Sequence, residues 1–330
     1  MNKFLTVLAL TASVLLVGCQ QEEPSKSVNQ DKKQEQPASQ QKKSKWGYEL
    51  ADEVWQDTKS YDSPRMAFIW SKPPHTEGKT NYRYEIWSTK LDHTDLKRRV
   101  SYKDVGNGIL RTQKTSPDGR YTVFAVSINS RYEKRLYDIK TKTMKVLSHG
   151  GVIPSFEWTS DSKSIYYNEA GDFKHYHIPT AKLTILSDKY GERGNAFLVI
   201  DNDTKIVFFR SNKMHVRDLK TGKLLFERPY ERISEEGVIR TPTGNKFHFQ
   251  YQSRGHVIVD ASKPSYPIIS EFDSASTPKA FDPADDTLLW TSALGIYDIK
   301  SNKRIELDLT NFDELMRLGL DPSQTNLYNF

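Results

Sequence analysis

The feature that most constrains this chain is a turn that comes back. Ser116-Pro117-Asp118-Gly119-Arg120 precedes Tyr121-Thr122-Val123-Phe124-Ala125-Val126. Pro pre-sets φ, Asp can bond its own backbone ahead, and Gly accepts positive φ. The β-branched and aromatic residues that follow suit a pleated, packed surface. The same grammar recurs at Ser160-Asp161-Ser162-Lys163 before Ile165-Tyr166-Tyr167 and at Asp201-Asn202-Asp203-Thr204 before Ile206-Val207-Phe208. It recurs again at Thr241-Pro242-Thr243-Gly244 before Phe247-His248-Phe249, and at Asp282-Pro283-Ala284-Asp285 before Leu288-Leu289-Trp290. With Asp118, Asp161, Asp203, Thr243 and Ala284 in equivalent places, the step is about 40–43 residues, the period of a four-stranded propeller blade.

The second half of each unit is also regular. Leu136-Tyr137-Asp138-Ile139 turns at Lys140-Thr141-Lys142, Val216-Arg217-Asp218-Leu219 at Thr221-Gly222, and Ile296-Tyr297-Asp298-Ile299 at Ser301-Asn302, each into another short apolar run. Polar turns between apolar runs of this length are strand connections. A less regular unit lies upstream, with Asp62-Ser63-Pro64-Arg65 before Met66-Ala67-Phe68-Ile69-Trp70, giving six units across roughly 49–309.

One four-stranded sheet cannot bury both its faces, whereas a ring of them buries each face on a neighbour. The expected fold is therefore all-β: a six-bladed β-propeller of four-stranded blades with a short C-terminal helix. A β-sandwich has no reason to repeat at this interval. Inner strands are expected just before the turns, at 109–114, 153–158 and 196–200, with the region of Val54 and Trp55 opening the first. The Ser-Pro-Asp-Gly turn and the Ile-Tyr-Asp-Ile strand resemble the WD40-like repeats of TolB-type β-propellers. The turn residues of that motif map here to Asp118, Gly119, Asp161, Asp203 and Gly244.

The N-terminus reads as an export signal. Met1-Asn2-Lys3 is a short basic start, and 4–17 is an apolar run of signal-peptide length, short for a stable membrane span. It ends at Leu16-Val17-Gly18-Cys19, which resembles a bacterial lipobox. That resemblance implies cleavage before Cys19 and lipidation of Cys19, with membrane anchoring through palmitate-like acyl chains. Acyl burial at about 0.8 kcal/mol per CH₂ explains why several chains hold firmly. Cys19 is the only cysteine, so an intramolecular disulfide is impossible. Gln20 stands where an Asp commonly retains Gram-negative lipoproteins on the inner membrane. The lipobox thus implies an extracytoplasmic location, on the outer membrane of a Gram-negative cell or the outer face of a Gram-positive one.

The expected organisation is a signal peptide over 1–18, lipidated Cys19 and a disordered tether over 19–45, and a propeller domain with a helical tail over 46–330. The tether is built of Gln, Lys, Ser, Glu and Pro, which cannot bury enough surface to offset ordering entropy. Of the formal charge of +6, the tether carries about +2 and the signal one, which leaves only a weak positive bias on the folded part. With export expected and no RNP, helix-turn-helix or zinc-finger pattern, nucleic acid is not an expected partner.

Within the folded part, 71–82 is the largest departure from the repeat. Its Pro73, Pro74, His75, Glu77 and Lys79 form the candidate partner-binding loop, since loops on a rigid scaffold carry binding. Lys97-Arg98-Arg99 reads as a solvated edge guarded against aggregation. His175 and His177 share one strand face but have no third ligand in view, so no metal site is expected. Asp201-Asn202-Asp203 lacks the Gly and distal Glu of an EF-hand and reads as a turn. Trp70, Trp87, Trp158 and Trp290 fall in strands and are expected in the core. Thr310–Leu318 has the capping pattern of a short helix that Gly319 stops.

No Gly-x-Ser-x-Gly, His-Glu-x-x-His, phosphate-loop or dinucleotide motif is present, so no catalytic residue and no cofactor is assigned. The favoured expectation is a monomeric, non-enzymatic module that binds an envelope protein or peptide. The alternative is a propeller hydrolase or lyase acting on a cell-wall or carbohydrate substrate at the channel mouth.

Overall fold

A computed structural model describes residues 51–56, 64–92, 94–151, 154–169, 172–186, 196–210, 212–230, 238–251, 255–273, 277–291, 295–305 and 320–328, apart from 73–82. The signal segment, the tether with Cys19, the 73–82 part of the candidate loop and the expected helix at 310–318 lie outside these residues.

Six sheets form the structure, and the order of strands within them defines six blades. Blade 2 runs β5 (Ile109–Thr115), β6 (Tyr121–Ile128), β7 (Arg131–Asp138) and β8 (Thr143–His149) from the axis outward. Blade 3 repeats this with β9 (Phe156–Trp158), β10 (Ser164–Glu169), β11 (Asp172–His177) and β12 (Lys182–Ile185). Blade 4 has β13 (Ala196–Ile200), β14 (Lys205–Arg210), β15 (Lys213–Asp218) and β16 (Leu224–Pro229). Blade 5 has β17 (Ile239–Arg240), β18 (Lys246–Tyr251), β19 (Gly255–Asp260) and β20 (Ile268–Asp273), and blade 6 has β21 (Pro278–Phe281), β22 (Leu288–Thr291), β23 (Ile296–Asp298) and β24 (Lys303–Ile305). All pairs within these five blades are antiparallel, and β5, β9 and β13 fall where the repeat puts inner strands.

Blade 1 departs from that expectation. Its innermost strand is β25 (Leu320–Tyr328), from the far end of the chain, paired antiparallel with β2 (Arg65–Lys72). Next come β3 (Arg83–Lys90), β4 (Lys97–Val100) and, outermost, the two-residue β1 (Ala51–Asp52), which pairs parallel with β4. Val54 and Trp55 therefore follow an outer strand, not an inner one, and the stretch after Gly319, beyond the expected helix, is a strand. β25 touches β5 on one side and β21 on the other, so the last strand of the chain closes the ring. A single helical turn, α1 (Tyr102–Val105), leads from blade 1 into blade 2, capped by Ser101, whose hydroxyl accepts from Asp104 N.

The core is made between blades, as the two-faced sheet requires. Strand alternation sends Phe124 and Val126 toward Ile69, Ile86 and Val100 of blade 1, and Val123 and Ala125 toward Phe156, Trp158 and Ile165 of blade 3. Tyr166 and Phe173 meet Phe197 and Phe208, and Leu198, Val207 and Phe209 meet Phe247, Phe249 and Val257. Ile258 and Phe272 meet Phe281, Leu289 and Tyr297, and Trp290 and Ile296 meet Met66, Phe68 and Trp87. Each blade junction thus has its own apolar cluster, and each fully buried Phe or Ile contributes about 1.5–3 kcal/mol. Trp70, Trp87, Trp158 and Trp290 are all buried. The outer strands β8, β12, β16 and β24 are mostly exposed.

Candidate functional site: the turn end of the channel

The recurring turns gather on one face and are bonded to one another. In blade 2, Asp118 Oδ1 accepts from Ser116 Oγ (2.6 Å) and Arg120 N (2.9 Å), while Gly119 holds φ +76° and donates to Ser116 O. Blade 3 repeats the pattern. Asp161 Oδ1 accepts from Thr159 Oγ1 (2.7 Å) and Lys163 N (3.0 Å), and Ser162 sits at φ +61° in place of Gly. In blade 5, Asn245 Oδ1 accepts from Thr241 Oγ1 (2.6 Å), and Gly244 holds φ +69°. The hydroxyl at the first turn position recurs with the carboxylate. Ser116 Oγ accepts from Tyr121 N, Thr159 Oγ1 from Ser164 N and Thr241 Oγ1 from Lys246 N, at 2.9–3.1 Å. Those three hydroxyls carry as much of the turn as the Asp series.

Asp203 behaves differently. The turn in blade 4 spans only 201–204, with Asp201, Asn202 and Asp203 all at positive φ. Its carboxylate leaves its own turn and takes Ser160 N and Ser160 Oγ of blade 3, both at 2.6 Å. Asp118 N likewise donates to Ser162 Oγ across the preceding junction (3.0 Å), and Asn202 N donates to Thr243 O across the next (2.8 Å). The rim is therefore stitched from blade 2 through blade 5.

Inside this rim lies a cavity of about 280 Å³, walled by the last residues of β5, β9, β17 and β21 and the turns after them. Its centre is an ion cluster that crosses the axis. Lys114 Nζ of blade 2 donates to Glu157 Oε2 of blade 3 at 2.5 Å, and Arg240 Nε of blade 5 donates to Glu157 Oε1 at 2.5 Å. Arg240 also gives Nη2 to Trp158 O and Nη1 to Pro242 O, both at 2.7 Å. Its Nη2 stands 3.9 Å from Asp203 Oδ1, a buried oxygen that accepts no hydrogen bond. Trp158 Nε1 donates to Lys114 O (3.1 Å), which fixes the indole beside the cluster.

The Glu157 side chain is 3% exposed, Arg240 8% and Lys114 32%. Burial alone would raise the Glu157 carboxyl, but the charges of Lys114 and Arg240 and their hydrogen bonds outweigh it and hold the group below the ordinary carboxylate range. At neutral pH Glu157 is thus an anion with both oxygens engaged. Lys279, on β21, adds a third cation to the wall, and Pro117, Ile239, Pro242 and Ala280 add apolar surface.

None of Lys114, Glu157, Arg240 or Lys279 is picked out by motif. A signal was present nonetheless: each is a charged residue on an inner strand, where a buried charge is tolerated only if something answers it. Residues 73–82 of the candidate loop lie outside the described residues; only its flanking strands are placed. Strands alternate in direction, so β2 ends at Lys72 and β3 begins at Arg83 on the face opposite the turns. His175 stacks on Tyr166 at 4.6 Å, and His177 Nδ1 is 2.8 Å from Thr180 Oγ1. Among the described residues no group of three or more His, Cys, Asp or Glu converges as a metal site would require.

The edge expected at 97–99 is also revised. Arg99 is buried, with its Nη1 2.7 Å from Glu53 Oε1, its Nε 2.5 Å from Thr122 Oγ1, and a further bond to Gly119 O. Glu53 Oε2 accepts from Ser88 Oγ (2.5 Å), and Trp55 Nε1 donates to Asp118 O (3.1 Å). The arginine faces the junction of blades 1 and 2 because β1 and the residues after it cover β4.

Comparison with solved structures places this architecture among known propellers. The chain is similar to TolB from Acinetobacter baumannii, with 13% identity over 73% of this chain and a TM-score of 0.51, and it spans 62% of the length of that chain. It is also similar to a chain in a nidogen/laminin complex, with 8% identity over 81% of this chain and 97% of the other and a TM-score of 0.53. No protein-family model and no curated protein matches the sequence. At these identities the likeness concerns the fold: an all-β six-bladed propeller of four-stranded antiparallel sheets.

Proposed function

We propose that this chain is a lipid-anchored, extracytoplasmic β-propeller that acts as a non-enzymatic protein-binding or scaffold module of the cell envelope. The observation that carries this reading is the state of the cavity's central acid. Glu157 is tied on both oxygens by cations and held below the usual carboxylate range, so at neutral pH it is an anion with no proton to give and is a weak base. General acid–base work calls for a group poised near the working pH. The rest of the wall mixes apolar and polar side chains as binding surfaces do. One of the similar folds comes from a complex between two proteins. Anchoring rests on Leu16-Val17-Gly18-Cys19 and the polar stretch after it.

The test is crosslinking in living cells followed by mass spectrometry, with the full-length chain, a Cys19→Ala variant and a variant lacking 73–82. Recovery of a specific envelope protein with the wild-type chain, and loss of membrane association and processing with Cys19→Ala, is the expected result. A Cys19→Ala protein that is processed and membrane-bound as before would overturn the anchor, and no enriched partner would overturn the binding module. Unchanged recovery without 73–82 would remove that loop from the interface.

A further inference from the structure

The outer connections of the blades form a cationic rim around the turn end. In blades 2 to 6 the third and fourth strands are joined beside the recurring turns. Ile139 N donates to Arg120 O, Ile178 N to Lys163 O, Leu219 N to Thr204 O, Ala261 N to Asn245 O and Ile299 N to Thr287 O, at 2.7–3.0 Å. Each of these connections carries an exposed lysine: Lys142, Lys182, Lys223, Lys263 and Lys303. The acids beside them are used differently. Asp138, Asp218, Asp260 and Asp298 are half-buried, and their Oδ1 atoms accept the backbone N–H of Lys140, Thr221, Ser262 and Lys300 at 2.6–3.0 Å. The carboxylates are folded into the turns, and the lysines extend from them. Lys142 and Lys263 stay 60% and 64% exposed, although Asp52 stands 3.6 Å from the one and Asp260 3.4 Å from the other. Exposed pairs of this kind hold a lysine weakly, so another anion can compete for it. Blade 1 interrupts the rim, because its β3–β4 connection carries Asp92 and Asp95.

The same end receives the chain. β3 ends and β4 begins on the turn side, and Ala51 pairs with Lys97, the first residue of β4. On the reading above, the sequence upstream of Ala51 leads back to a lipidated Cys19. An anchor attached at this end brings the rim, rather than the opposite face, to the bilayer. Salt confines such attraction to about 8 Å at physiological ionic strength, so the lysines act only when the face lies on the headgroups.

We infer that the turn-end rim rests on an anionic phospholipid surface, with Lys142, Lys182, Lys223, Lys263 and Lys303 donating to headgroup phosphates. The opposite face, where β2 ends and β3 begins, is then left for a protein partner. This inference rests on the lipid anchor proposed above, and its test separates the two.

The full-length, lipidated protein is reconstituted into vesicles of phosphatidylcholine alone and of phosphatidylcholine with about 30% phosphatidylglycerol. Acetylation by an N-hydroxysuccinimide ester, read by mass spectrometry, reports on each lysine. The rim lysines should react at least about threefold more slowly on the anionic vesicles and recover at about 1 M salt. Lys213, which begins β15 at the other end and is 45% exposed, should not change. Lys163, 62% exposed on the turn of blade 3, reports on a variant that combines Lys142→Gln, Lys182→Gln, Lys223→Gln, Lys263→Gln and Lys303→Gln. It should be slowed in the wild type and unchanged in the variant, which circular dichroism should show to be folded. Equal rates on both vesicles, slowing at Lys213 equal to that at the rim, or slowing at Lys163 that survives the substitutions would each overturn the orientation and leave the anchor standing. Stronger slowing by soluble polyphosphate than by the anionic vesicles would assign the rim to an anionic polymer and overturn it too. Protein that joins neither vesicle would overturn the anchor and the orientation together.

Discussion

Replacing Glu157 with Gln tests the cross-channel cluster most directly. The carboxylate is 3% exposed and joins blade 3 to blade 5 through Arg240 and to blade 2 through Lys114. Breaking a buried pair by removing one partner costs about 3–5 kcal/mol, because the other charge is left buried. Here the two halves differ. Lys114 is a third exposed and can turn toward solvent, so its share is discounted toward the surface value of about 0–1 kcal/mol. Arg240 is 8% exposed but keeps three carbonyl partners, which softens its loss. The expected cost of Glu157→Gln at neutral pH is therefore about 2–4 kcal/mol, with Arg240→Met costing more than Lys114→Met.

The same reasoning fixes a pH dependence. The Glu157 carboxyl is held below its ordinary 4.5 in the folded state. A depressed carboxyl contributes stability that is fully present above about pH 4.5 and is lost as pH falls through the folded value. Urea unfolding of both proteins, followed by far-UV circular dichroism from pH 7 to pH 3, should thus show two curves that are separated at neutral pH and converge in acid. A gap that stays constant across the range, or no gap at pH 7, would refute the claim that the charge on Glu157 joins the blades.

Other outcomes follow from the rim and the closure. Gly244 at φ +69° has its Cβ position 2.6 Å from Ile200 Cα and 2.8 Å from Asp201 N, so Gly244→Ala should destabilise by about 2 kcal/mol or more, against about 1 for Gly119→Ala, as read from chemical unfolding. Asp203→Ala removes the acceptor for both Ser160 donors and should cost about 1–3 kcal/mol, with faster hydrogen exchange at Ser160 N. A chain stopped after residue 319 loses β25, and with it the partner of β2 and the contacts to β5 and β21. Its unfolding should become broad rather than cooperative, and a sharp transition at the wild-type midpoint would show that closure is dispensable.

The ring was legible because its punctuation is local. Asp118 and Gly119 reveal a turn through their own backbone chemistry, and repetition reveals the blades. What escaped depends on partners far away. Leu320–Tyr328 contains Pro322 and little alternation, and it is a strand because β2 offers it an edge. Arg99 looks like a surface charge until Glu53, 46 residues earlier, is seen to cover it. Glu157 and Arg240 are 83 residues apart and meet only because blade 4 curves between them. Asp203 occupies its expected slot, but a turn one residue shorter than in blades 2, 3 and 5 redirects it to the neighbouring blade.

The segment just after Ala51 enters the ring through Glu53 and Trp55, wedged where blade 1 meets blade 2. Tension applied to anything attached upstream would reach this wedge first, peeling two residues of parallel pairing before loading a buried ion pair. The chain's last described strand lies on the other side of the same blade, four strands inward from β1. A pull from the N-terminal side is therefore borne by the blade that also locks the circle, and mechanical strength and ring integrity are vested in a single sheet.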